Sequence, residues 1–344
     1  MMEYKQKGKL FTFDLLKCLR TDYFHNDCKK CMEICPENAF YFDRKRLSID
    51  FDKCTNCSVC LGVCPTEALT LDFFDPNDYI LKNETHLSCK KDIPCLSAFS
   101  SEHFITIALR HGTLSCDLSH CEGCHLNPEN KTLHSIRERL EEAKRFLDES
   151  GAEAVIEEKP YQEDRRGFFK AIFSAAKETT KEEKLSSLQS DLNRVPLKLT
   201  LLKNSLKKAS KDLTNKEIST AYSFLGNKKI DENCTNCRDC VQFCPTNALF
   251  TSSEGDAIWF IAGKCIDCAI CNGICKPKSI TDAQTLDLVA FAFDRGEELI
   301  HHQIEICSEC KTPFAYKSGE MLCDRCKSFV DEFADIFKLA SDME

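Results

Sequence analysis

The cysteines are the residues of this chain whose type and spacing point most directly to a chemistry. The chain has 25 of them among 344 residues. They form four groups, with eight in residues 18–64, five in 89–124, eight in 234–275 and four in 307–326. Disulfide-dense chains are typically short and secreted, whereas this chain is long and opens on charged rather than apolar residues. We therefore expect a reducing, cytoplasmic setting in which grouped cysteines bind metal.

The group at residues 234–275 contains the spacing C-x₂-C-x₂-C-x₃-C twice, which is a specific pattern for [4Fe–4S] ligation. Three thiolates of a short loop converge on one cluster, and the fourth cysteine ligates the other cluster of the pair. One predicted ligand set, the Cys234 site, consists of Cys234, Cys237, Cys240 and Cys275. The other, the Cys265 site, consists of Cys265, Cys268, Cys271 and Cys244.

The group at residues 18–64 is less regular. Its second half predicts the Cys54 site, which consists of Cys54, Cys57, Cys60 and Cys35. The first half lacks the expected first cysteine, and His25 stands in its place. Cys18 lies ten residues before Cys28 and can reach the cluster if the insertion loops out. The predicted Cys18 site therefore consists of Cys18, Cys28, Cys31 and Cys64, with His25 as the alternative ligand.

The two eight-cysteine groups are an internal repeat, because residues 54–60 and 64–69 have close counterparts at 234–240 and 244–249. Both groups resemble bacterial ferredoxins with two [4Fe–4S] clusters, over about residues 28–70 and 230–282. The resemblance implies two ferredoxin-like modules, at residues 10–75 and 230–285, with four [4Fe–4S] clusters between them.

Residues 83–158 alternate between strand and helix patterns. Apolar segments at 85–89, 114–118 and 154–156 predict strands, and the intervening segments predict a buried helix closed by Gly112 and an amphipathic helix that ends at Gly151. Such alternation implies a small parallel α/β domain. Cys116 lies within the second strand, where structural burial is the expected role.

Four cysteines follow the first two of these strands, and we call them the Cys89 site: Cys89, Cys95, Cys121 and Cys124. Ligands gather beyond the carboxyl ends of parallel strands, so the four thiols are expected to form one more metal centre. Residues 94–97 and 121–125, followed by a long helix, resemble the small delta subunit of hydrogenases that partner heterodisulfide reductase. That resemblance implies a [2Fe–2S] cluster. Zinc, a redox-active disulfide and inert buried cysteines are the alternatives.

Residues 159–229 contain 16 Lys or Arg against 8 Asp or Glu, in a chain of net charge −9. Apolar side chains at helical spacing predict a basic helical linker. Its helices either pack on the modules or present a basic surface to a partner or to a membrane periphery.

Residues 300–344 contain two C-x₂-C pairs and a terminal helical pattern. The pairs fit a tetrahedral Cys₄ zinc site of zinc-ribbon type, the Cys307 site, which consists of Cys307, Cys310, Cys323 and Cys326. A rubredoxin-type iron is the alternative metal.

The predicted fold is thus a multidomain α+β chain. None of its 12 glycines forms a G-x-G-x-x-G or phosphate-binding loop, and no catalytic side-chain arrangement stands out. We expect neither a membrane span nor nucleic-acid binding, and we expect redox proteins as partners.

These features predict an electron-transferring subunit or partner of a larger oxidoreductase, such as a hydrogenase, a formate dehydrogenase or a heterodisulfide-reductase-like complex, rather than a stand-alone enzyme. Thiol/disulfide chemistry at the Cys89 site and a redox-sensing or assembly role are the alternatives.

Overall fold

A computed structural model describes residues 3–4, 10–23, 25–44, 46–82, 84–161, 194–209 and 216–333. Residues 162–193 and 210–215 of the predicted helical linker, and the end of the terminal helical pattern, lie outside these residues. The described part of the chain mixes short strands with helices, and its longest helix has 20 residues.

The N-terminal module is built from two small antiparallel sheets that enclose apolar side chains. Its elements are β1 (Glu3–Tyr4), β2 (Phe11–Asp14), α1 (Leu19–Asp22), α2 (Lys30–Ile34), β3 (Phe40–Asp43), β4 (Arg46–Ile49) and β5 (Leu69–Leu71). Strand β2 pairs with β1 and β5, and β3 pairs with β4 as a hairpin. Phe11 and Phe13 are each 1% exposed, so β2 turns two aromatic rings into the module.

The middle segment forms a parallel three-stranded sheet covered by helices. Its elements are α3 (Pro76–Leu81), β6 (His86–Ser88), α4 (Ser101–His111), β7 (Thr113–Asp117), α5 (Lys131–Ser150) and β8 (Val155–Glu158), with 3₁₀ turns at Leu96–Ala98 and Pro128–Asn130. The strand order is β6-β7-β8 and both pairings are parallel. This matches the topology that the alternation of strands and helices predicts.

Helix α4 lies in the centre of the middle segment because its sequence is apolar on several sides. Phe104, Ile105 and Ile107 are fully buried. The helix begins at a capping box in which Ser100 and His103 bond reciprocally, and it ends at Gly112, whose φ of 76° is the left-handed conformation that glycine adopts without strain.

The N-terminal module packs directly on the middle segment. Gly62 marks the closest approach, since a Cβ there would overlap the carbonyl oxygens of Ser97 and Phe99. The Arg139 guanidinium donates to the same two carbonyl oxygens, at 2.9 and 2.6 Å. The two parts of the chain therefore share one continuous buried core.

Helix α6 (Leu197–Ala209) is the described helical part of the basic segment, and it packs against α4. Leu199, Leu202 and Leu206 are buried along one face. Its apolar side thus packs on the rest of the protein, which is one of the two arrangements that the sequence predicts for the linker.

The C-terminal module repeats the N-terminal arrangement. Its elements are β9 (Glu217–Ser219), β10 (Lys228–Ile230), α7 (Asp239–Gln242), β11 (Leu249–Thr251), β12 (Ala257–Ile261), α8 (Ile270–Ile274), β13 (Ile280–Asp282), β14 (Thr285–Asp287), α9 (Leu288–Ala292) and β15 (Gly296–His301), with a 3₁₀ turn at Ala262–Lys264. Strand β10 pairs with β13, β11 with β12, and β12 with β15.

Residues 217–229, which the sequence predicts as part of the helical linker, contain strand β9 and the first two residues of strand β10. Strand β9 pairs with β14, and β10 is the first strand of the C-terminal module. Each of these strands has three residues and a partner at least fifty residues away. Such short strands carry too little alternation to stand out from a helical pattern, and non-local pairing decides their conformation.

The C-terminal part is a small hairpin followed by a helix. It consists of β16 (Gln303–Ile306), β17 (Pro313–Tyr316) and α10 (Asp324–Phe333).

Candidate metal centres

The cysteine loops of the two modules share an unusual backbone conformation. In each of three C-x₂-C-x₂-C loops, the second residue after the first cysteine has positive φ, namely Asn56, Asn236 and Asp267. The residue directly after the second cysteine, Ser58, Arg238 or Ala269, also has positive φ. Two left-handed residues so close together fold the backbone into a tight loop, which brings the cysteines of that loop to one side.

The fourth cysteine of each motif begins a second repeated turn. The residue three positions later has positive φ in all four cases: Asn38, Glu67, Asn247 and Lys278. The backbone N–H one position further on donates to the cysteine sulfur in three of them, with N···S distances of 3.4 Å at Cys35, 3.3 Å at Cys64 and 3.2 Å at Cys244. Such donors favour the thiolate form, in which cysteine binds iron.

The predicted ligands of the Cys54 site and of the Cys265 site each line one small cavity. The first cavity contains Cys35, Cys54, Cys57 and Cys60 together with Phe11 and Phe40. The second contains Cys244, Cys265, Cys268 and Cys271 together with Lys228 and Phe260. Four convergent thiols in a mostly apolar cavity suit a [4Fe–4S] cluster.

The cysteines of the Cys18 site also come together. Burial raises the pKa of Cys18 to about 11, and the nearby Cys64 and Cys28 sulfurs add to the effect. Burial raises the pKa of Cys31 as well, again with contributions from Cys64, Cys28 and Cys18. The ten-residue gap is bridged by α1 and by Arg20, which donates to the carbonyl oxygens of Asn26 and Cys28.

His25, the alternative ligand, is exposed, and its ring centroid lies 5.6 Å from that of Tyr23. The contacts of Cys18 with the other three thiols support it as the fourth ligand.

The cysteines of the Cys234 site form a further group. Burial raises the pKa of Cys240 to about 12, with contributions from Cys234, Cys271, Cys237 and Cys275. Cys237 is exposed, so this group lies at the surface of the C-terminal module.

The Cys89 site joins two loops that are distant in sequence. Burial raises the pKa of Cys121 to about 11, and Cys89 and Cys124 are the nearest thiols that add to the shift. Burial likewise raises the pKa of Cys95 to about 12, with Cys121, Cys57 and Cys89 as neighbours. The loops that follow β6 and β7 therefore face each other, as the parallel topology predicts. Cys116 lies apart within β7 and is fully buried.

The Cys307 site has a tighter geometry than the others. Its four sulfurs lie within 4.8 Å of one another, and within the described ranges it is the single set of three or more metal-binding side chains that does so. The Cys310 and Cys323 sulfurs are 3.7 Å apart. Four sulfurs about 2.3 Å from one zinc ion would be about 3.8 Å apart in a tetrahedron. This arrangement fits a single tetrahedral ion, whereas the more open sets suit multi-iron clusters.

Hydrogen bonds favour the thiolate form at two of the four cysteines of the Cys307 site, whereas the Cys310 and Cys323 thiols raise the pKa of Cys326 to about 12. The Thr312 hydroxyl and backbone N–H lower the pKa of Cys310 to about 6. The Cys323 N–H donates to the Cys307 sulfur at 3.4 Å and lowers the pKa of that thiol. A thiol that is deprotonated near neutral pH binds metal at a smaller proton cost.

The thiol groups follow one another in a series. The Cys89 site borders the Cys54 site through Cys95 and Cys57. Cys60 of the Cys54 site and Cys31 of the Cys18 site are neighbours, since Cys31 helps burial to raise the pKa of Cys60. Cys240 and Cys271 similarly join the two groups of the C-terminal module.

The two modules meet between the Cys18 site and the Cys265 site. The Asn26 side-chain amide donates to the Cys268 carbonyl oxygen at 3.2 Å. The Tyr23 and Phe243 rings pack edge to face with centroids 5.9 Å apart. The order of the sites along the series is therefore the Cys89 site, the Cys54 site, the Cys18 site, the Cys265 site and the Cys234 site.

Three buried lysines, two of which contact the cysteine groups, could not be found from the sequence. Lys198 donates to the Cys64 carbonyl oxygen at 3.0 Å, and its ammonium lies 3.2 Å from Glu102. Lys203 pairs with Asp294 at 2.6 Å, and Lys228 lines the cavity of the Cys265 site. All three belong to the basic segment, where a lysine is ordinarily a surface charge.

Within the described ranges, no helix is both long enough and apolar enough to cross a membrane.

The fold and the cysteine loops define an iron–sulfur protein with two modules of ferredoxin type, and comparison with known proteins agrees. Residues 26–68 match the 4Fe-4S dicluster domain, and residues 228–250 match the 4Fe-4S binding domain. A 7Fe ferredoxin of Hydrogenibacillus schlegelii is 36% identical over 56 residues, which are 15% of this chain and 72% of that ferredoxin. The chain belongs to the ferredoxin family of iron–sulfur electron-transfer proteins.

Other relatives are components of larger enzymes. The pyruvate synthase subunit PorD of Methanocaldococcus jannaschii is 39% identical over 44 residues, which are 12% of this chain and 51% of that protein. One component of the ion-translocating oxidoreductase complex of Methanosarcina acetivorans is 41% identical over 44 residues, which are 13% of this chain and 17% of that protein. The chain thus spans at most about half the length of these two relatives.

Proposed function

We propose that this chain conducts electrons through five iron–sulfur centres in series, as a subunit or partner of a larger oxidoreductase. The Cys54, Cys18, Cys265 and Cys234 sites each hold a [4Fe–4S] cluster, and the Cys89 site holds a [2Fe–2S] cluster. Such clusters accept and release one electron at a time. The Cys307 site holds a structural zinc ion.

The serial arrangement of the five thiol groups carries this proposal. Each group has a neighbour on either side except the Cys89 and Cys234 groups, which stand at the ends of the series. Cys89 and Cys237, one at each end, are exposed to solvent. An electron donor and an electron acceptor therefore have access to opposite ends of the series.

The predicted partners are a hydrogenase, a formate dehydrogenase or a heterodisulfide-reductase-like complex. The names of the relatives, with components of an oxidoreductase complex and of a pyruvate synthase among them, support a place in a multi-subunit redox enzyme. A net charge of −9 before any cluster is counted favours basic docking faces on the partners.

Thiol/disulfide chemistry at the Cys89 site is less well supported. The thiolate is the nucleophile in disulfide exchange. Burial raises the pKa of Cys95 to about 12 and of Cys121 to about 11, so both thiols are protonated at neutral pH in the absence of metal. A bound metal cation reverses this preference, because it binds thiolates and releases their protons.

An anaerobic reductive titration tests the proposal. The purified chain should take up about five electrons, one for each of its five centres. The Cys121→Ala variant should lose the middle centre and take up about four, whereas Cys116→Ala, which removes a cysteine outside the groups, should still take up about five. Uptake of an electron pair that Cys121→Ala abolishes without loss of iron would instead establish disulfide chemistry.

A further inference from the structure

We propose that Lys228 raises the reduction potential of the cluster at the Cys265 site above that of its counterpart at the Cys54 site, so that electrons move favourably from the N-terminal to the C-terminal module. The inference rests on the proposed function, in that these cysteines must hold clusters. Lys228 then determines the direction in which electrons flow between two otherwise similar modules.

The strand registers of the two modules show which residues correspond. In the N-terminal module, Phe13 pairs with Leu69, the fifth residue after Cys64. In the C-terminal module, Ile230 pairs with Ile280, the fifth residue after Cys275.

Two residues earlier on the same strands stand Phe11 and Lys228. Because side chains alternate along a strand, these two residues point to the same side of their modules as Phe13 and Ile230. Lys228 therefore occupies the position of Phe11.

Each of these residues lines the cluster cavity of its module. Phe11 lies in the cavity of the Cys54 site, with its ring centroid 6.3 Å from that of Phe40. Lys228 lies in the cavity of the Cys265 site. The duplicated modules thus differ at one equivalent place, where one has an apolar ring and the other a cationic side chain.

The Lys228 side chain is only 1% exposed. Its ammonium is paired with two carboxylates, Asp267 at 3.2 Å and Asp282, and these ion pairs favour the charged form of Lys228.

Those two carboxylates are 38% and 57% exposed, so water screens them more than it screens the buried ammonium. The cavity therefore faces a weakly screened positive charge whose counter-charges lie toward solvent.

Reduction adds a negative charge to a cluster. A buried positive charge stabilises the reduced form more than the oxidised form, and the potential of that cluster rises. Phe11 supplies no charge at the equivalent place, so the Cys54 site lacks this stabilisation. Replacement of Lys228 by an uncharged residue removes the positive charge and leaves Asp267 and Asp282 uncompensated, so both effects lower the potential of this cluster. A merely steric role of the Lys228 side chain predicts no such shift.

The test is a redox titration of the full chain, purified anaerobically and followed by electron paramagnetic resonance. In Lys228→Met, one [4Fe–4S] cluster should become harder to reduce by about tenfold in its equilibrium constant, which is about 59 mV for one electron. Lys228→Arg keeps the charge and should retain the wild-type potential. Lys203→Met removes another buried lysine, which pairs with Asp294 away from the cluster cavities, and should shift no potential.

Full iron content with unchanged potentials in Lys228→Met would overturn the inference and leave the proposed function intact. Low iron content in the wild-type chain would instead overturn the proposed function. If Lys228→Met loses iron, Asp282→Asn decides the question. This variant keeps the lysine and removes an opposing carboxylate, so it should raise the potential of the same cluster, and no rise would contradict the role of Lys228.

Discussion

Cys18 and His25 are the two candidates for the fourth ligand of one predicted cluster in the N-terminal module. The sequence could propose either residue, because it does not show how the insertion before Cys28 folds. A short helix and the bonds of Arg20 bring Cys18 to Cys28 and Cys64, while His25 stays exposed. This grouping depends on three-dimensional contacts that spacing alone does not encode.

The pair of residues gives a matched test. Cys18→Ala should lose iron or convert one cluster to a form with a different resonance spectrum, because one of its four ligands is gone. His25→Ala should keep the wild-type iron content and spectrum. Iron analysis and electron paramagnetic resonance of both variants measure this. The reverse outcome would make His25 the ligand.

His103 makes stability depend on pH. Burial, with Lys198 and Arg139 nearby, lowers the pKa of His103 from 6.5 to about 3. Its Nδ1 accepts the Ser100 N–H at 3.1 Å, which requires the neutral ring. The folded state therefore loses stability as pH falls below about 6.5, by up to about 1.4 kcal/mol per pH unit, because only the unfolded chain takes up this proton.

Thermal unfolding at pH 7 and pH 5 tests this effect. The wild-type midpoint should fall further between the two values than that of His103→Gln. His134→Gln, at a position whose side chain is 75% exposed, should behave as the wild type does. Equal pH dependence in all three proteins would show that His103 does not contribute.

The helices of the middle segment could be predicted from the sequence because their periodicity and their ends are encoded by neighbouring residues. Helical periodicity and the C-terminal glycines Gly112 and Gly151 define α4 and α5 within a few residues. The three-residue strands β9 and β10 carry no such signal, since pairing with β14 and β13 determines them. The burial of Lys198, Lys203 and Lys228 was equally invisible, because it depends on acidic partners far along the chain.

Helix α6 should stabilise the contact between the N-terminal module and the middle segment through Lys198. Its side chain is 4% exposed and pairs with Glu102, which is 7% exposed. Lys198→Met leaves that carboxylate buried and unpaired, which should cost about 3–5 kcal/mol. Lys208→Met, on the exposed side of α6, should cost little. Denaturant unfolding measures both.

The double variant Lys198→Met/Glu102→Gln removes both charges and should recover part of the loss. If Lys198→Met is as stable to denaturant as Lys208→Met, this ion pair does not contribute to stability.

The hairpin β16–β17 should depend on its metal. Cys310→Ser should lose about one zinc per chain and keep all iron, because the Cys307 site is separate from the cluster groups. Hydrogen exchange should quicken in the hairpin and stay unchanged in β11 and β12. Ser308→Ala, a neighbouring change that removes no thiol, is the control. Loss of one iron instead of one zinc would identify a rubredoxin-type centre.

At the scale of the whole molecule, the sequence indicated two ferredoxin modules joined by other domains, and the structure arranges their cysteines in one series. The junction of the modules, where Asn26 meets Cys268 and Tyr23 meets Phe243, involves residues without a distinctive motif. No spacing rule predicts such a junction. The serial order, and with it the proposed path of electrons, therefore emerges only from the fold.

Metal analysis of the anaerobically purified chain shows whether the five thiol sites hold five iron–sulfur centres. Four [4Fe–4S] clusters, one [2Fe–2S] cluster and one zinc ion predict about 18 iron atoms and one zinc per chain. About 16 iron atoms with two zinc ions would remove the middle centre from the series. About 8 iron atoms would contradict the presence of four [4Fe–4S] clusters.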